Sequence, residues 1–327
     1  MPKPLVLRID KVHPELDRTL REHGFFTEAD LQSSAFELAL RYPDTECLVV
    51  RSRLKIDRDF LLRFPRLRCI VRVGSGLEGI DTAFARSRHI AVFNTPEGNR
   101  NAVAEHATGL IWALLRRPFQ AFEDIRQGKW LREAYRGYEL EGKTVGIIGY
   151  GNTGKALARK LAGFDTEVLA YDIVPGLGDE YARQTDMDEI FERADIVSLH
   201  VPLTPLTFHL VDGPWIERFA KPFWLVNTAR GEVVHIPALL RALESDKIRG
   251  AALDVLPYEQ KFFGDQTDLK KWPDEFRTLV RHPRVILTPH IAGLTHESNV
   301  KLARTAARKI IDYFARSAGH NLDDQSE

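Results

Sequence analysis

The chain has 327 residues, a length that suits two domains or one large one, and 44% hydrophobic with 28% charged residues is typical of a globular protein. Lysine and arginine total 46, as do aspartate and glutamate, so the formal charge is zero. This balance argues against binding of nucleic acid or an anionic membrane through overall charge.

The first hundred residues alternate short apolar runs with helical patterns, which predicts a parallel α/β unit. The expected strands are 5–9, 47–51, 68–73 and 91–93, and the expected helices are 14–23, 58–63 and 82–86. Residues 102–115 (AVAEHATGLIWALL) then form the longest uninterrupted helical pattern. Its apolar residues lie nearly all round, so we expect a helix buried on more than one side.

A loop is expected over 119–140, after which the alternation resumes and predicts helices on both faces of a second parallel sheet. The expected strands are 144–149, 167–171, 195–200, 224–227, 251–255 and 285–287, and the expected helices are 155–162, 187–193 and 237–245. Residues 257–283 interrupt the pattern and predict a surface loop with one short helix. A terminal amphipathic helix over 297–314 precedes a polar end, 321–327, that we expect to fray.

The clearest local motif is GIIGYGNTG, in which Gly149, Gly151 and Gly154 directly follow an expected strand and open a helix. The first glycine permits a tight turn, the second permits close approach of a pyrophosphate, and the third permits close packing of helix on strand. Asp172 ends the next strand, where a carboxylate can accept hydrogen bonds from the adenosine ribose and repel a 2′-phosphate. The motif therefore predicts dinucleotide binding and favours NAD over NADP.

A nucleoside triphosphate is the competing interpretation of the same turn. Gly149, Gly154 and Lys155 match the G-x-x-x-x-G-K pattern, but Ala156 stands where a hydroxyl must hold Mg²⁺. The missing hydroxyl and the later Asp172 favour the dinucleotide.

Several charged side chains follow later strands, at the sheet edge where open α/β sheets bind ligands. Arg230 offers a bidentate cation for a substrate carboxylate. His290 titrates in the range needed to move a hydroxyl proton. Glu259 could stabilise the imidazolium and fix its tautomer. Together with a dinucleotide turn, the three residues predict hydride transfer to or from a 2-hydroxy acid.

Seven stretches together resemble the D-isomer-specific 2-hydroxyacid dehydrogenase family across nearly the whole chain. They are RVGSGLEGID (72–81), NTPEGNRNAVAEH (94–106), ELEGKTVGIIGYGNTG (139–154), DIVSLHVPLTPLT (195–207), VNTARGEVV (226–234), AALDV (251–255) and TPHIAGLT (288–295). The resemblance implies two Rossmann-like domains, with the cofactor domain inserted into the substrate domain. Residues 1–99 and 293–327 would form a flavodoxin-like substrate domain and 100–292 the NAD-binding domain, with pairing of the cofactor domains into a homodimer.

The same resemblance assigns site residues. Arg230 looks like the residue that binds the substrate carboxylate, and Glu259 with His290 looks like the acid/base pair. Asp254 resembles the carboxylate that meets the nicotinamide carboxamide. The remaining implied cofactor contacts are Asn152, Thr153, Val201, Ala229 and Gly293, and the implied substrate-binding amides are those of Ser75 and Gly76.

The substrate is predicted from three positions near the start of the chain. Arg51 and Ser52 stand where the 3-phosphoglycerate dehydrogenase branch has an Arg-Ser pair for the substrate phosphate, and Asn99 resembles a further polar contact of that branch. A phosphate needs at least one such cation. We therefore expect 3-phosphoglycerate and phosphohydroxypyruvate as substrates, without the serine-sensing domain of longer members.

Two alternatives stay open. One is a reductase of the glyoxylate/hydroxypyruvate or D-lactate type. The other is an NADH-sensing binding protein similar to the family's transcriptional corepressors, which can keep the same three side chains.

Other classes find little support in the sequence. The histidines match no metal-binding spacing, and Cys47 and Cys69 fit neither a disulfide framework nor a nucleophile beside a histidine. No membrane span or signal peptide is predicted, so we expect a cytoplasmic protein that binds small molecules, without a metal.

Overall fold

The computed structural model describes residues 4–257, 259 and 268–323. They fall into two units. Unit 1 contains the described residues of Met1–Asn99 and Leu294–Glu327, and unit 2 contains those of Arg100–Gly293. Each unit has one parallel sheet with helices on its faces, which confirms the predicted α/β class with two Rossmann-like sheets.

Unit 1 contains a five-stranded sheet in the order β2-β1-β3-β4-β5. Its strands are β1 (Leu5–Arg8), β2 (Phe26–Ala29), β3 (Thr45–Val50), β4 (Cys69–Arg72) and β5 (Ala91–Asn94). Its helices are α1 (Glu15–Glu22), α2 (Ala35–Arg41), α3 (Arg58–Leu62), α4 (Thr82–Ser87) and, at the end of the chain, α12 (His296–Asp323). This strand order is the one found in flavodoxin-like sheets.

Apolar cores cover both faces of this sheet because successive residues of a strand point to opposite sides. In β3, Cys47 and Val49 pack with α1 and α12, whereas Leu48 and Val50 pack on the other face with α3. Cys69 lies beside Cys47 on the neighbouring strand, and both thiols are fully buried. The two cysteines are therefore core residues.

Two elements of unit 1 were missing from the sequence prediction. Strand β2 pairs only with β1 at the sheet edge and is largely exposed, so it shows no apolar run. Helix α2 begins at a capping box, in which the Ser34 hydroxyl accepts from the Glu37 N–H and the Glu37 carboxylate accepts from the Ser34 N–H. That Ser-x-x-Glu pattern was present in the sequence and marks a helix start.

Unit 2 contains a seven-stranded sheet in the order β12-β11-β10-β9-β6-β7-β8. Its strands are β6 (Thr144–Ile148), β7 (Glu167–Tyr171), β8 (Arg183–Gln184), β9 (Ile196–Leu199), β10 (Phe223–Asn227), β11 (Ile248–Leu253) and β12 (Val285–Leu287). The order reverses between β6 and β9. Ligands of open α/β sheets bind at such a switch point, outside the carboxyl ends of the strands.

The helices of unit 2 pack on both faces of this sheet. They are α5 (Pro96–Arg116, whose first residues belong to unit 1), α6 (Pro118–Arg126), α7 (Asn152–Leu161), α8 (Met187–Arg193), α9 (Gly213–Glu217), α10 (Ile236–Glu244) and α11 (Asp274–Arg281). Short 3-10 turns occupy Glu133–Tyr135, Gly231–Val233 and Leu269–Lys271. As expected, α5 is buried on more than one side, although Trp112 is exposed.

The structure corrects the loop predicted over 119–140. This segment contains helix α6 and the turn Glu133–Tyr135, and none of the α6 residues is buried. The short strand β8 and helix α9 were also missed. In the predicted loop 257–283 the structure shows α11, while residues 258 and 260–267 lie outside the described residues, as does 324–327 of the expected frayed end.

Among the helices that the structure describes, none combines the length and apolar character needed to cross a membrane.

Candidate active site

The turn after β6 can be built only with glycine at two of its three positions. Gly149 has a φ of +95°, and a Cβ on it would lie 2.6 Å from the carbonyl oxygen of His200. A Cβ on Gly154 would lie 2.2 Å from the carbonyl oxygen of Gly149. At Gly151 a Cβ would meet no atom within 4 Å, so no contact among the described residues requires glycine there.

Helix α7 begins directly after this turn, at the switch point of the sheet. Asn152, Thr153 and Gly154 form its first turn, so their backbone N–H groups have no intrahelical acceptor. The Thr153 hydroxyl lies 3.1 Å from Nδ1 of His200, on the loop after β9. A helix start of this kind, with free N–H groups and a favourable dipole, suits a phosphate group.

Asp172 anchors the turn as well as following β7. One carboxylate oxygen accepts from the Tyr150 N–H at 2.7 Å, and the other accepts from the Val174 N–H at 2.9 Å. A carboxylate has about four acceptor sites, so two remain for ribose hydroxyls. The glycine turn, the helix start and this carboxylate therefore fit a dinucleotide.

Two further predicted cofactor contacts also lie at the carboxyl edge of the sheet. Val201 follows β9 and is half-buried, and Ala229 follows β10 and is buried. The Ala229 N–H donates to the side chain of Asn227, which fixes the loop after β10. Gly293, the last residue of unit 2, follows the loop after β12.

The structure brings Glu259 and His290 together, although they are 31 positions apart in the chain. The distance between Nδ1 of His290 and Oε2 of Glu259 is 2.7 Å. The other Glu259 oxygen accepts from the Leu256 N–H at 2.9 Å, so the carboxylate is held at both ends. Since Nδ1 faces Glu259, Nε2 is the ring nitrogen left for proton exchange with a substrate.

The hydrogen bond that His290 donates to Glu259 raises the pKa of His290 above its ordinary value. Burial opposes the shift, the charge of Asp254 adds to it, and the positive charge of Arg230 opposes it. Arg230 therefore acts electrostatically on the same imidazole, as expected for three side chains at one edge of the sheet. Its own Nη1 donates to the Ala229 carbonyl at 2.7 Å.

His290 itself stands in a left-handed backbone conformation, with a φ of 54°. Its N–H donates to the Asp254 carbonyl at 2.8 Å and to the Thr288 carbonyl at 3.0 Å. Strained conformations of non-glycine residues persist only where the surroundings over-determine them. The loop after β12 is thus held in place from the end of β11.

Asp254 has a structural role that the sequence did not indicate. The residue is 1% exposed, and its carboxylate oxygens accept from the Thr288 hydroxyl at 2.5 Å and from the N–H groups of Ile291 and Ala292, each at 2.9 Å. His106 lies 3.5 Å from the same carboxylate and 3.1 Å from the Thr288 hydroxyl. Asp254 therefore binds the loop on both sides of His290, through the Thr288 hydroxyl before it and the N–H groups of Ile291 and Ala292 after it.

Thr288 and His106 were missed by the sequence reasoning as contributors to the site. Both occur in stretches that it quoted, TPHIAGLT and NAVAEH, but neither residue type at that spacing indicates a partner 182 positions away. Only the fold places them beside Asp254.

In unit 1, Ser75 and Gly76 lie on the loop after β4. Their backbone N–H groups make no hydrogen bond within the described residues. The Ser75 hydroxyl donates to the Asn99 side chain at 3.2 Å, and the Ser75 carbonyl accepts from Asn94 at 2.7 Å. Two adjacent free amides of this kind can bind a carboxylate or phosphate.

Arg51 and Ser52 follow β3, on a loop organised by a buried carboxylate. Asp10 accepts from the N–H groups of Arg51 at 2.6 Å, of Ser52 at 3.4 Å and of Arg53 at 3.1 Å. The Arg53 side chain donates hydrogen bonds to backbone carbonyls, including that of Ile9. The Arg51 guanidinium, by contrast, makes no hydrogen bond or ion pair with any residue that the structure describes.

The opposite, amino edge of the unit 2 sheet holds a cavity of about 430 Å³. Trp224, Arg249 and Ile286 are among its lining residues, and none of the predicted site residues is.

A dinucleotide-type turn at the switch point and a carboxylate–imidazole pair at the same sheet edge are features of nicotinamide-dependent oxidoreductases. Residues 108–292 match the D-isomer specific 2-hydroxyacid dehydrogenase family, in its NAD binding domain. The match covers more than half of the chain, so the chain belongs to this family, as the resemblance predicted.

Relatives within the family differ in their substrates. The chain is 34% identical to D-3-phosphoglycerate dehydrogenase 2 of Saccharomyces cerevisiae over 94% of its own length and 66% of the relative's. It is 37% identical to glyoxylate reductase of Thermofilum pendens, over 86% of the chain and 82% of that relative. The chain spans only 56–66% of the length of the curated phosphoglycerate dehydrogenases it matches.

Among solved structures, an acyclic imino acid reductase (Bsp5) in complex with NADPH and D-Arg matches with a TM-score of 0.82 at 25% identity. The match covers 95% of this chain and 97% of that one. The overall fold is therefore shared with oxidoreductases that use a nicotinamide cofactor.

Proposed function

We propose that this protein is an NAD-dependent 2-hydroxyacid dehydrogenase, which transfers a hydride between nicotinamide and C2 of a D-2-hydroxy acid or 2-oxo acid. The observation that supports it most strongly is the 2.7 Å contact of Glu259 with His290 at the sheet edge that also bears the glycine turn. The acid/base groups and the cofactor turn then lie at the same edge of one sheet, as a shared reaction requires.

The proposed roles follow from the chemistry of each group. On oxidation, Nε2 of His290 takes the hydroxyl proton of the substrate while hydride leaves C2, and the adjacent Glu259 stabilises the imidazolium. Arg230 holds the substrate carboxylate through its guanidinium. Bound nicotinamide would supply the hydride acceptor. In the reverse direction, protonated His290 returns the proton to the carbonyl oxygen.

We assign the dinucleotide to residues 100–292 and the substrate to 1–99 with 293–327. The first turn of α7 would hold the pyrophosphate through the backbone at Gly151, Asn152 and Thr153. Val201, Ala229, Asp254 and Gly293 are the further cofactor contacts in this assignment. The carboxylate of Asp254 already accepts three hydrogen bonds from the loop after β12, so its part in cofactor binding includes holding that loop.

NAD is the proposed carrier, although the imino acid reductase was solved with NADPH. A 2′-phosphate would meet the negative charge of Asp172, and the five residues after it, IVPGL, contain no cation to compensate. The test is to measure turnover with NAD and NADP side by side. Equal kcat/KM values for the two would refute this assignment.

We further propose that the substrate is 3-phosphoglycerate or phosphohydroxypyruvate. Arg51 supports this because its guanidinium has no partner among the described residues, while the neighbouring Asp10 fixes its backbone. Ser52 and Asn99 would add neutral contacts, and the amides of Ser75 and Gly76 would bind the carboxylate. The second candidate is a glyoxylate or hydroxypyruvate reductase, favoured by the 37% identity to the Thermofilum protein, against 34% to the yeast phosphoglycerate dehydrogenase.

A substrate panel separates these two candidates. Phosphohydroxypyruvate, hydroxypyruvate and glyoxylate are each reduced with NADH, and the same panel is run on Arg51→Ala. Loss of one charge pair to phosphate should raise KM for the phosphorylated compound about tenfold and leave the others nearly unchanged. Arg66→Ala is the matched control, because Arg66 carries the same charge in an exposed pair with Asp44. Better turnover of glyoxylate, or equal effects of Arg51→Ala on all three, would favour the second candidate.

His290→Gln separates an enzyme from an NADH-binding sensor. We expect kcat to fall by roughly 10²–10⁴-fold, the usual contribution of acid/base catalysis, with NADH affinity kept within about threefold. Tight NADH binding by the unaltered protein without turnover of any 2-oxo acid would favour the sensor.

We also propose a homodimer, formed through helix α6 and the segment after it. Phe119, Phe122, Ile125 and Trp130 are exposed in this stretch, Trp130 by 77%, and no α6 residue is buried in the single chain. Several large apolar side chains exposed within one short stretch usually mark a protein–protein interface. Sedimentation velocity should show a dimer that Phe122→Glu converts to a monomer, whereas an unaltered protein that sediments as a monomer would refute the proposal.

A further inference from the structure

His200 connects the two strands that flank the switch point. Its N–H donates to the Ile148 carbonyl at the end of β6, at 2.7 Å, and its own carbonyl closes the space above Gly149. The backbone of His200 is thus part of the wall that requires glycine in the turn. Its imidazole, however, has no place in the acid/base chemistry proposed above.

Both ring nitrogens of His200 are engaged. Nδ1 lies 3.1 Å from the Thr153 hydroxyl, and Nε2 lies 2.9 Å from the Ser198 hydroxyl. Burial lowers the pKa of His200 to about 4, so the ring is neutral near pH 7. A neutral imidazole has one donor and one acceptor nitrogen, so the two hydroxyls must play opposite roles toward it.

The surroundings of the hydroxyls suggest which role each one takes. Ser198 is fully buried, and its hydroxyl makes no other hydrogen bond within the part of the chain that the structure describes. Thr153 stands in the first turn of α7, where the backbone suits an anion. If Ser198 donates to Nε2, then Nδ1–H donates to the Thr153 oxygen and leaves the Thr153 proton directed to a further acceptor.

We propose that His200 is a positioning residue for the dinucleotide diphosphate, acting through Thr153. The chain of donors runs from Ser198 to His200 to Thr153 and ends on a diphosphate oxygen. Each bond polarises the next, which strengthens the last one. This inference rests on the proposed dinucleotide binding at the turn.

Two substitutions of His200 test the proposal, because each one keeps a different one of the two hydrogen bonds that the imidazole makes. His200→Asn places an amide near the position of Nδ1 and can still donate to Thr153. His200→Gln places it near Nε2 and keeps only the Ser198 contact. Affinity for NADH and for ADP-ribose, which contains the diphosphate, is measured by fluorescence titration and calorimetry, and thermal unfolding reports the folded state of each variant.

We expect His200→Gln to weaken binding of both ligands roughly tenfold and His200→Asn by less than about threefold. Thr153→Val should match His200→Gln, and the double variant should bind no more weakly than Thr153→Val, because both changes remove the same contact. The loss should appear mainly in KM for NADH, with a smaller change in kcat, because the contact is made to the diphosphate and not to the reacting atoms. If His200 only stabilised the fold, the affinity losses of His200→Asn and His200→Gln would not differ in this way, and the double variant would not match Thr153→Val.

Equal losses in His200→Asn and His200→Gln, or effects of His200→Gln and Thr153→Val that multiply in the double variant, would overturn the proposal. If His200→Gln does not fold, Thr153→Val and Thr153→Ser decide the question, since only valine lacks the hydroxyl, and equal affinities would again refute it. Absence of NADH and ADP-ribose binding by the unaltered protein would instead overturn the proposed function, and this inference with it.

Discussion

Asp254→Asn tests the idea that one buried carboxylate holds the loop that presents His290. The change hardly alters volume, but asparagine has one acceptor oxygen where aspartate has two. In the structure the Ile291 N–H donates to one oxygen of Asp254 and the Ala292 N–H to the other, both at 2.9 Å. An amide must therefore turn its NH₂ group toward one of these two donors.

The expected cost follows from that geometry. A buried N–H left without an acceptor costs about 1–3 kcal/mol, and the remaining bonds lose their charge assistance, worth another 1–2 kcal/mol. We therefore expect the free energy of unfolding of unit 2 to fall by about 3 kcal/mol at pH 7. We also expect kcat to fall, because the backbone of His290 is bonded to the same residue.

The loss in the free energy of unfolding caused by Asp254→Asn should become smaller at low pH. Burial raises the pKa of Asp254, but hydrogen bonds from His106, Thr288 and the backbone of Ala292 and Ile291 outweigh it, and the net shift is downward. The stabilisation is therefore present above the unfolded pKa of about 3.9 and is lost as pH falls through the lower folded value. The difference between the unaltered protein and the variant should narrow below pH 4.

The assay combines urea unfolding with hydrogen exchange at the amides of Ile291 and Ala292, which should lose protection selectively. Asp212→Asn is the matched control. Asp212 caps α9 by accepting from the Trp215 N–H at 2.9 Å, and asparagine caps a helix equally well. If Asp254→Asn unfolds within 0.5 kcal/mol of that control, with both amides still protected, the loop does not depend on this carboxylate.

Three further predictions concern the acid/base pair, the glycine turn and a helix cap. Glu259→Gln removes the main cause of the raised His290 pKa, so the acidic limb of the kcat/KM profile for oxidation should move to lower pH, and an unmoved limb would contradict the assignment. Gly154→Ala should weaken NADH binding at least tenfold in titrations, because its Cβ would lie 2.2 Å from a carbonyl oxygen, whereas thermal unfolding of Gly151→Ala should match the unaltered protein. Ser34→Ala breaks the capping box and should lower the stability of unit 1 by about 1 kcal/mol in urea unfolding, and no change would argue against the cap.

The sheets could be predicted because their strands are buried on both faces and read as continuous apolar runs. Helix α6 could not, since its apolar residues find no cover in the single chain and its pattern looks like an exposed loop. Strand β2 has the same difficulty at the sheet edge, where it is largely exposed.

Within the site, strand ends alone indicated Arg230, Glu259 and His290, because parallel strands bring their carboxyl ends to one edge. The hydrogen bonds that hold these residues depend on distant positions instead. The Thr288 hydroxyl bonds Asp254 across 34 positions, and nothing in the local sequence around either residue indicates that contact.

The two buried thiols on strands β3 and β4 can report local opening of unit 1 through their chemical reactivity. Since the only cysteines, Cys47 and Cys69, lie side by side in the core of unit 1, a maleimide should react with the native protein only when that sheet separates. The rate of thiol labelling would then measure how often unit 1 opens, and unit 2, which contains no cysteine, would not contribute to the signal. A single cysteine introduced on the surface of unit 2 could carry a dye without background from the rest of the chain.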